Sequence, residues 1–199
     1  ACGVDGIWRS TDYGQTWKEE YATNKTFRGI QCSSDGQIVA SCVGDQYGDR
    51  LFYSDDYGDS FDNNNSGYSM NSRIHHMDMD KTGTYLIATS MASGGWTGFW
   101  VGSAGPSVGH HKSEDGTTPG WNNFHHGNNG MRYWSTCSMS HDGKYQLSVR
   151  TSKTTIYLSS DYGESFTLKK ELTYNTIDGL SNTSAINASG QYMLSLIHI

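Results

Sequence analysis

Ser159-Ser160-Asp161-Tyr162-Gly163-Glu164-Ser165-Phe166 decides the fold, because the same eight-residue phrase occurs twice more. It reads Ser10-Thr11-Asp12-Tyr13-Gly14-Gln15-Thr16-Trp17 and Ser54-Asp55-Asp56-Tyr57-Gly58-Asp59-Ser60-Phe61. Near-identical copies point to a repeat architecture, which has to be settled before any site is considered. A short apolar run precedes each copy (Ile7-Trp8, Leu51-Phe52-Tyr53, Ile156-Tyr157-Leu158), and an aromatic closes it (Trp17, Phe61, Phe166), which is expected to pack between blades. The pattern is strand, tight turn, strand. Asp accepts hydrogen bonds from turn amides, and Gly adopts the positive φ such turns require. Asp12, Gly14, Asp56, Gly58, Asp161 and Gly163 are therefore expected to be structural.

Between the octapeptides runs a second repeat, an apolar strand, a Gly turn and another apolar strand. Its turn glycines are Gly36, Gly83, Gly143 and Gly190, spaced 47, 60 and 47 residues apart. Two residues after each stand Ile38, Tyr85, Tyr145 and Tyr192; four before stand Cys32, Met79, Met139 and Ile186. Period-two alternation across a Gly turn predicts a β-hairpin. Each unit is then strand a, Gly turn, strand b, loop, strand c, octapeptide turn, strand d. Four strands in roughly 45 residues make a propeller blade.

The octapeptides resemble the Asp-box, or BNR repeat, of sialidases, sortilin-type receptors and a photosystem assembly factor. That resemblance implies an all-β β-propeller of four-stranded antiparallel blades, with about four blades' worth of repeats. It implies no activity, since the box is a folding device. The expected organisation is a single propeller domain or propeller fragment over 1–199, with blades at roughly 30–62, 74–122 and 134–167. The chain opens on a strand c and stops on a strand b. Either the two half-blades meet and close a four-bladed ring, or the chain is a piece of a longer propeller, which is the reading preferred here. Leu194-Ser195-Leu196-Ile197-His198-Ile199 fits an ordinary strand b and equally resembles a translated sequencing-adapter tail.

Composition narrows the function. Fourteen Lys and Arg against twenty Asp and Glu, for a net charge of −6, offer no basic face for nucleic acid. No apolar run of ~20 residues is present to span a membrane as a helix. Of the four cysteines, Cys32 and Cys137 fall on the apolar side of strand a and are expected as buried thiols rather than disulfide partners. The low charge and the wealth of aromatic and hydroxyl side chains suit an extracellular or particle-surface protein.

Two places could carry chemistry. The third unit is longer than the others, and its octapeptide has decayed. In one register Phe99-Trp100-Val101-Gly102 is strand c, and the insertion separates c from d. In the other the box survives at Ser113-Glu114-Asp115-Gly116, and the insertion separates b from c. The first is preferred because Phe99 and Trp100 match Ile156 and Tyr157. Rings here, Trp96 and Trp100 among them, could stack on sugar faces. The His-His pairs at 75–76, 110–111 and 125–126 are not chelating units, since strand neighbours point to opposite faces. No metal or other cofactor is expected.

The second place is built on Arg28, Arg73 and Arg132, which each precede strand a of successive blades. With His75 and Tyr133 nearby, they could converge at the channel mouth on an anionic sugar. Phe27-Arg28-Gly29-Ile30 faintly resembles the Phe-Arg-Ile-Pro motif of sialidases, but it lacks the Pro. No nucleophile pair or acid can be placed, so the catalytic residues are unknown. The expected function is a non-enzymatic propeller presenting a carbohydrate- or protein-binding surface to a glycan or protein ligand, in an oligomeric state the sequence leaves open. The alternative is a sialidase-like glycoside hydrolase of the exo-α-sialidase type. An assembly-factor role shares the fold without residue-level support.

Overall fold

The computed structural model describes residues 1–43, 51–61, 74–90, 99–102, 122–124, 134–150, 155–171 and 183–196. Among them there is no helix, and so none long and apolar enough to cross a membrane. The strands are β1 (Cys2–Arg9), β2 (Lys18–Cys32), β3 (Val39–Val43), β4 (Leu51–Ser54), β5 (Ile74–Met79), β6 (Leu86–Ser90) and β7 (Phe99–Gly102). They continue as β8 (Asn122–Phe124), β9 (Trp134–Met139), β10 (Gln146–Arg150), β11 (Thr155–Ser159), β12 (Thr167–Glu171), β13 (Thr183–Ile186) and β14 (Met193–Leu196). They form antiparallel sheets in the order β1-β2-β3-β4, β5-β6-β7-β8 and β12-β11-β10-β9, with β13-β14 as a two-stranded sheet.

Sequence neighbours are spatial neighbours throughout, as short turns dictate. β2 departs from simple alternation because it serves two partners. Its stretch from Lys18 to Thr26 runs against β1, and Phe27 to Cys32 runs against β3. The strand after the first octapeptide and the strand before the first Gly turn are thus one continuous ribbon.

The leading strands lie side by side: β2 touches β5, β5 touches β9, and β9 touches β13. β8 and β12 are in contact chiefly with the strand beside them. Sheets that converge on their first strand and splay towards their last are propeller blades.

The β5-β6-β7-β8 sheet buries both faces against its neighbours. Ile38, Ala40, Cys42 and Tyr53 pack on Met77, Met79, Leu86 and Ala88 of that sheet. From the opposite face of that sheet, Ile87 and Tyr85 pack on Cys137, Met139, Tyr157 and Phe166. Adjacent residues Leu86 and Ile87 point to opposite cores, as the two-residue period of a strand requires. At the start of the chain Ile7, Phe27, Val43 and Phe52 form a third core, with Tyr21 and Phe61 against it.

β7 settles the register of the third unit. Ile87 faces Val101 and Ala88 faces Trp100, while Val101 faces Asn122 on β8. Phe99-Trp100-Val101-Gly102 is strand c, and residues 103–121 join it to the following strand.

The Gly turns are where the sheets lock together. All four glycines have positive φ, at 79°, 73°, 75° and 75° for Gly36, Gly83, Gly143 and Gly190. The residue two after Gly36, Gly83 and Gly143 lies on the turn Gly of the next sheet. A Cβ on Gly83 would stand 2.7 Å from Ile38, and one on Gly143 would stand 2.6 Å from Tyr85. One on Gly190 would collide with Tyr145, whereas at Gly36 there is open space. A relay of backbone hydrogen bonds crosses the same turns. Ser34 N donates to Lys81 O (2.8 Å), Lys81 N to His141 O (2.9 Å) and His141 N to Ala188 O (3.1 Å).

Side chains on the leading strands add further ties. Gln31 Nε2 donates to Met77 O (2.9 Å), and Asp78 Oδ2 accepts from Met139 N (2.8 Å). Ser138 Oγ donates to Ser184 Oγ (3.1 Å).

Candidate binding surface

The three octapeptides fold identically. The Asp12 carboxylate accepts hydrogen bonds from Ser10 Oγ (2.7 Å), Thr16 N (2.9 Å) and Thr16 Oγ1 (2.6 Å). Asp56 takes the same from Ser54 Oγ, Ser60 N and Ser60 Oγ, and Asp161 from Ser159 Oγ, Ser165 N and Ser165 Oγ. The opening Ser hydroxyl in turn accepts from the Gly amide, at 2.8 Å for Gly14 and Gly58 and 2.9 Å for Gly163.

Donors crowded on a carboxylate favour its ionised form. The Thr16 hydroxyl and amide hold Asp12 down to about 2, and those of Ser60 hold Asp56 down to about 2. At Asp161 burial pulls upward, but bonds from Ser159 and Ser165 outweigh it and the carboxyl titrates below its usual range. These groups cannot serve as proton donors near neutrality. Their work is to close turns.

The residue between Asp and Gly is unusual. Tyr13, Tyr57 and Tyr162 have φ of 59°, 63° and 62°, a left-handed conformation that Gly or Asn would adopt at lower cost. Backbone bonds pin this residue to the Gly turn of its own sheet: Tyr57 N donates to Gln37 O (3.0 Å) and Tyr162 N to Lys144 O (3.2 Å). Both turn families therefore share one face. Tyr162, although packed beside a neighbouring sheet, keeps 42% of its surface exposed. Its ring lies 5.2 Å from that of Tyr85, inclined by 31°. Tyr85 itself sits on Gly143, so the pair forms a fixed aromatic shelf across the joint between two sheets.

At the first sheet none of the described residues fills the same place. A cleft of about 450 Å³ opens between the β1–β2 hairpin and the second half of β2, lined by Trp8, Trp17, Ile30, Cys32, Gly36 and Tyr57. Arg9 braces its edge, donating to Glu20 Oε1 (2.9 Å) and Tyr57 O (3.0 Å) and pairing with Asp59.

Two expectations are corrected here. Trp17 is 51% exposed rather than packed between blades. Its counterpart Phe166 is covered by Ile87 and Tyr85 of the preceding sheet, and among the described residues Trp17 has no such sheet beside it. Cys32 is likewise exposed, whereas Met79 and Met139 at the equivalent position are buried under the sheet before them. Cys42 and Cys137 are buried, and no disulfide joins any two of the four cysteines.

Of the residues proposed from sequence to bind a ligand, Arg28 lies on β2 with its side chain exposed, between buried Phe27 and Gly29. His75 is on β5, and Trp100 is on β7 opposite Ala88 and Asn123. Arg73, Trp96, Arg132 and Tyr133 lie outside the described residues. The shelf of Tyr85 and Tyr162 escaped the sequence reading, although the signal was there: Tyr in all three octapeptides at a position suited to Gly.

Near the leading strands Asp78 stands beside His76 and the buried Cys137. Burial raises the Asp78 carboxyl, but both its oxygens accept amides, from Met79 (2.9 Å) and Met139 (2.8 Å). Burial also pushes the Cys137 thiol well up, keeping it protonated and unreactive. The cluster is a tie between sheets.

No family model and no curated protein matches the sequence. Solved structures do resemble the fold. A GH74 xyloglucanase from Xanthomonas campestris superposes with a TM-score of 0.65 at 13% identity, over 96% of this chain and 32% of the enzyme. A GH74 enzyme from Niastella koreensis gives 0.58 at 15% identity, over 85% and 27%. The WD40 repeats of RRP9 give 0.55 at 9% identity, over 94% and 47%. The chain thus spans about a third or less of the GH74 proteins. At these identities the likeness concerns the β-propeller fold alone.

Proposed function

We propose that this chain is a non-catalytic recognition module of the Asp-box type, binding carbohydrate on the face that carries its turns. The shelf of Tyr85 and Tyr162 carries the reading. A tyrosine held left-handed in a turn that Gly or Asn would close more cheaply is retained for its ring, because such strain costs of order 1–3 kcal/mol. Stacked phenols with free edges and hydroxyls match the apolar faces and polar rims of sugars. The box carboxylates, held ionised, support a structural rather than a chemical role. An extracellular or surface setting accords with a glycan ligand.

Substituting Tyr162→Asn separates the two roles. Asn accepts the left-handed turn, so stability should hold or rise, while affinity for the best ligand of a glycan array should fall several-fold. Tyr162→Phe should keep most of it. Unchanged glycan affinity in a folded Tyr162→Asn protein rules the reading out. The second reading, a sialidase-type hydrolase built on Arg28, Arg73 and Arg132, draws support from the exposed Arg28 and from the glycoside hydrolases that share the fold. Release of a reporter from a sialoside, abolished by Arg28→Ala, is its test.

A further inference from the structure

The shelf of Tyr85 and Tyr162 has a charged rim, and the sign of that charge bears on which sugar it holds. Both rings belong to the joint between the second and third four-stranded sheets, an inner joint with a described sheet on either side. At the joint before it Ile38, which has no ring, covers Gly83, so the stacked pair is particular to this place among the described residues.

Glu164 follows Tyr162 by two residues and is exposed. Its amide is pinned to Asp161 O (3.3 Å), so its side chain starts from the same turn as the ring. Asp142 precedes Gly143, the glycine under Tyr85, and is exposed as well. Hydrogen bonds from Ser140 Oγ (2.6 Å) and Lys144 N (3.1 Å) keep it ionised. Burial raises the Tyr85 hydroxyl, and Tyr162, Asp80 and Glu164 add to the rise, so the field at the ring is negative. Lys144 is drawn away from the shelf. Its ammonium lies 5.4 Å over the ring of Tyr145, which covers Gly190 at the following joint.

We infer that the shelf takes an amino sugar, which stacks its apolar face on Tyr162 and presents its protonated amine to Glu164. The inference rests on the carbohydrate reading above and adds the charge of the ligand. An ammonium is favoured both by an aromatic face and by a carboxylate beside it. The carboxylate of an acidic sugar would instead meet Glu164 and Asp142 as a like charge. Glu164 is open to water, where one ion pair contributes little, so stacking supplies most of the affinity and the rim selects among sugars. Lys81 and His141, exposed in the same two Gly turns, define the opposing case: a shelf governed by them would prefer acidic sugars.

Calorimetric titration at slightly acid pH compares hexamers of glucosamine, N-acetylglucosamine and galacturonic acid. The glucosamine hexamer should bind about two- to fivefold more tightly than the acetylated one, the range of an exposed ion pair, and the galacturonic acid hexamer more weakly than either. Glu164→Gln should bring the first two to equal affinity, and Gln15 at the same position of the first octapeptide shows that the turn accepts the change. Equal affinity in the wild-type chain overturns the inference, as does tightest binding of galacturonic acid. A preference that survives Glu164→Gln overturns it too, because the net charge of −6 would then account for it. Binding of the acetylated hexamer that Tyr162→Asn abolishes, without any preference for the amine, sinks the inference and leaves the carbohydrate reading standing. Hexamer binding that Tyr162→Asn leaves unchanged overturns both.

Discussion

A single carboxylate decides the shape of each octapeptide, and its energetics follow from the donors around it. Asp161 accepts an amide and two hydroxyls, so Asp161→Ala should lower stability by ~1–2 kcal/mol, the range for lost caps, and should weaken glycan binding as well, because Tyr162 stands in the same turn. Urea denaturation with binding measured on the folded variant checks both halves. The sign of the pH effect follows. Asp12 and Asp56 titrate near 2 when folded, against about 4 in an unfolded chain. Their stabilisation is present above the unfolded value and is lost as pH falls from about 4 towards 2. Asp78 runs the other way: its carboxyl is raised by burial, so its contribution weakens as pH climbs above the unfolded value. The urea midpoint should fall between pH 4 and 2, and fall less steeply in Asp56→Asn. Much at this scale was legible in the sequence, because Asp and Gly at fixed spacing admit few backbone solutions. The chemistry of the Gly turns proved more permissive. Ser33 donates to Asp35 in the first and Ser140 to Asp142 in the third; in the second the roles are exchanged and Asp80 accepts from Thr82, and in the fourth the Asn187 amide donates to Ser189.

Strands and hairpins were readable wherever a Gly turn or an octapeptide punctuated them. β2 was not read as one element, since nothing in a polar run such as Lys18 to Thr26 announces that a strand continues into the next sheet. Exposure at Trp17 and Cys32 also escaped, because alternation tells which side a residue faces and not whether a neighbour is there. Comparing two glycines makes the neighbour's share measurable. Gly36 and Gly143 have nearly equal φ, 79° and 75°, but only Gly143 lies beneath a ring. Gly36→Ala should cost the left-handed strain alone, about 1 kcal/mol. Gly143→Ala must displace Tyr85 as well, and should cost ~1–2 kcal/mol more, in the range of overpacking. Equal losses of stability would show that the ring yields freely.

Across the whole molecule, cohesion depends on ties between sheets that are each small. Asp78 is one such tie: it serves an amide in its own sheet and another in the next. Asp78→Ala would strand both amides in a buried place and should cost about 2–3 kcal/mol, with faster hydrogen exchange at Met79 and Met139 as the local signature. A loss confined to Met79 would mean that the sheets do not depend on this carboxylate. The row of sheets was legible from the repeat alone, whereas the proposed arginine cluster rests on Arg73 and Arg132, which lie outside the described residues. Equivalent positions in successive blades fix only where an arginine starts, and its side-chain torsions and hydration decide where the guanidinium ends.

The turn-to-turn hydrogen bonds all run one way, each earlier sheet giving its N–H to a later sheet's carbonyl. During synthesis, then, a newly finished sheet waits with a bare donor facing the ribosome, and the next sheet to emerge brings the acceptor. Buried donors are left unsatisfied more rarely than acceptors, which have two lone pairs to place. A chain cut short after any sheet leaves its unused donor at the growing end, open to water. Removing sheets from the beginning leaves a carbonyl instead, so the two ends of the row offer different groups to whatever comes next.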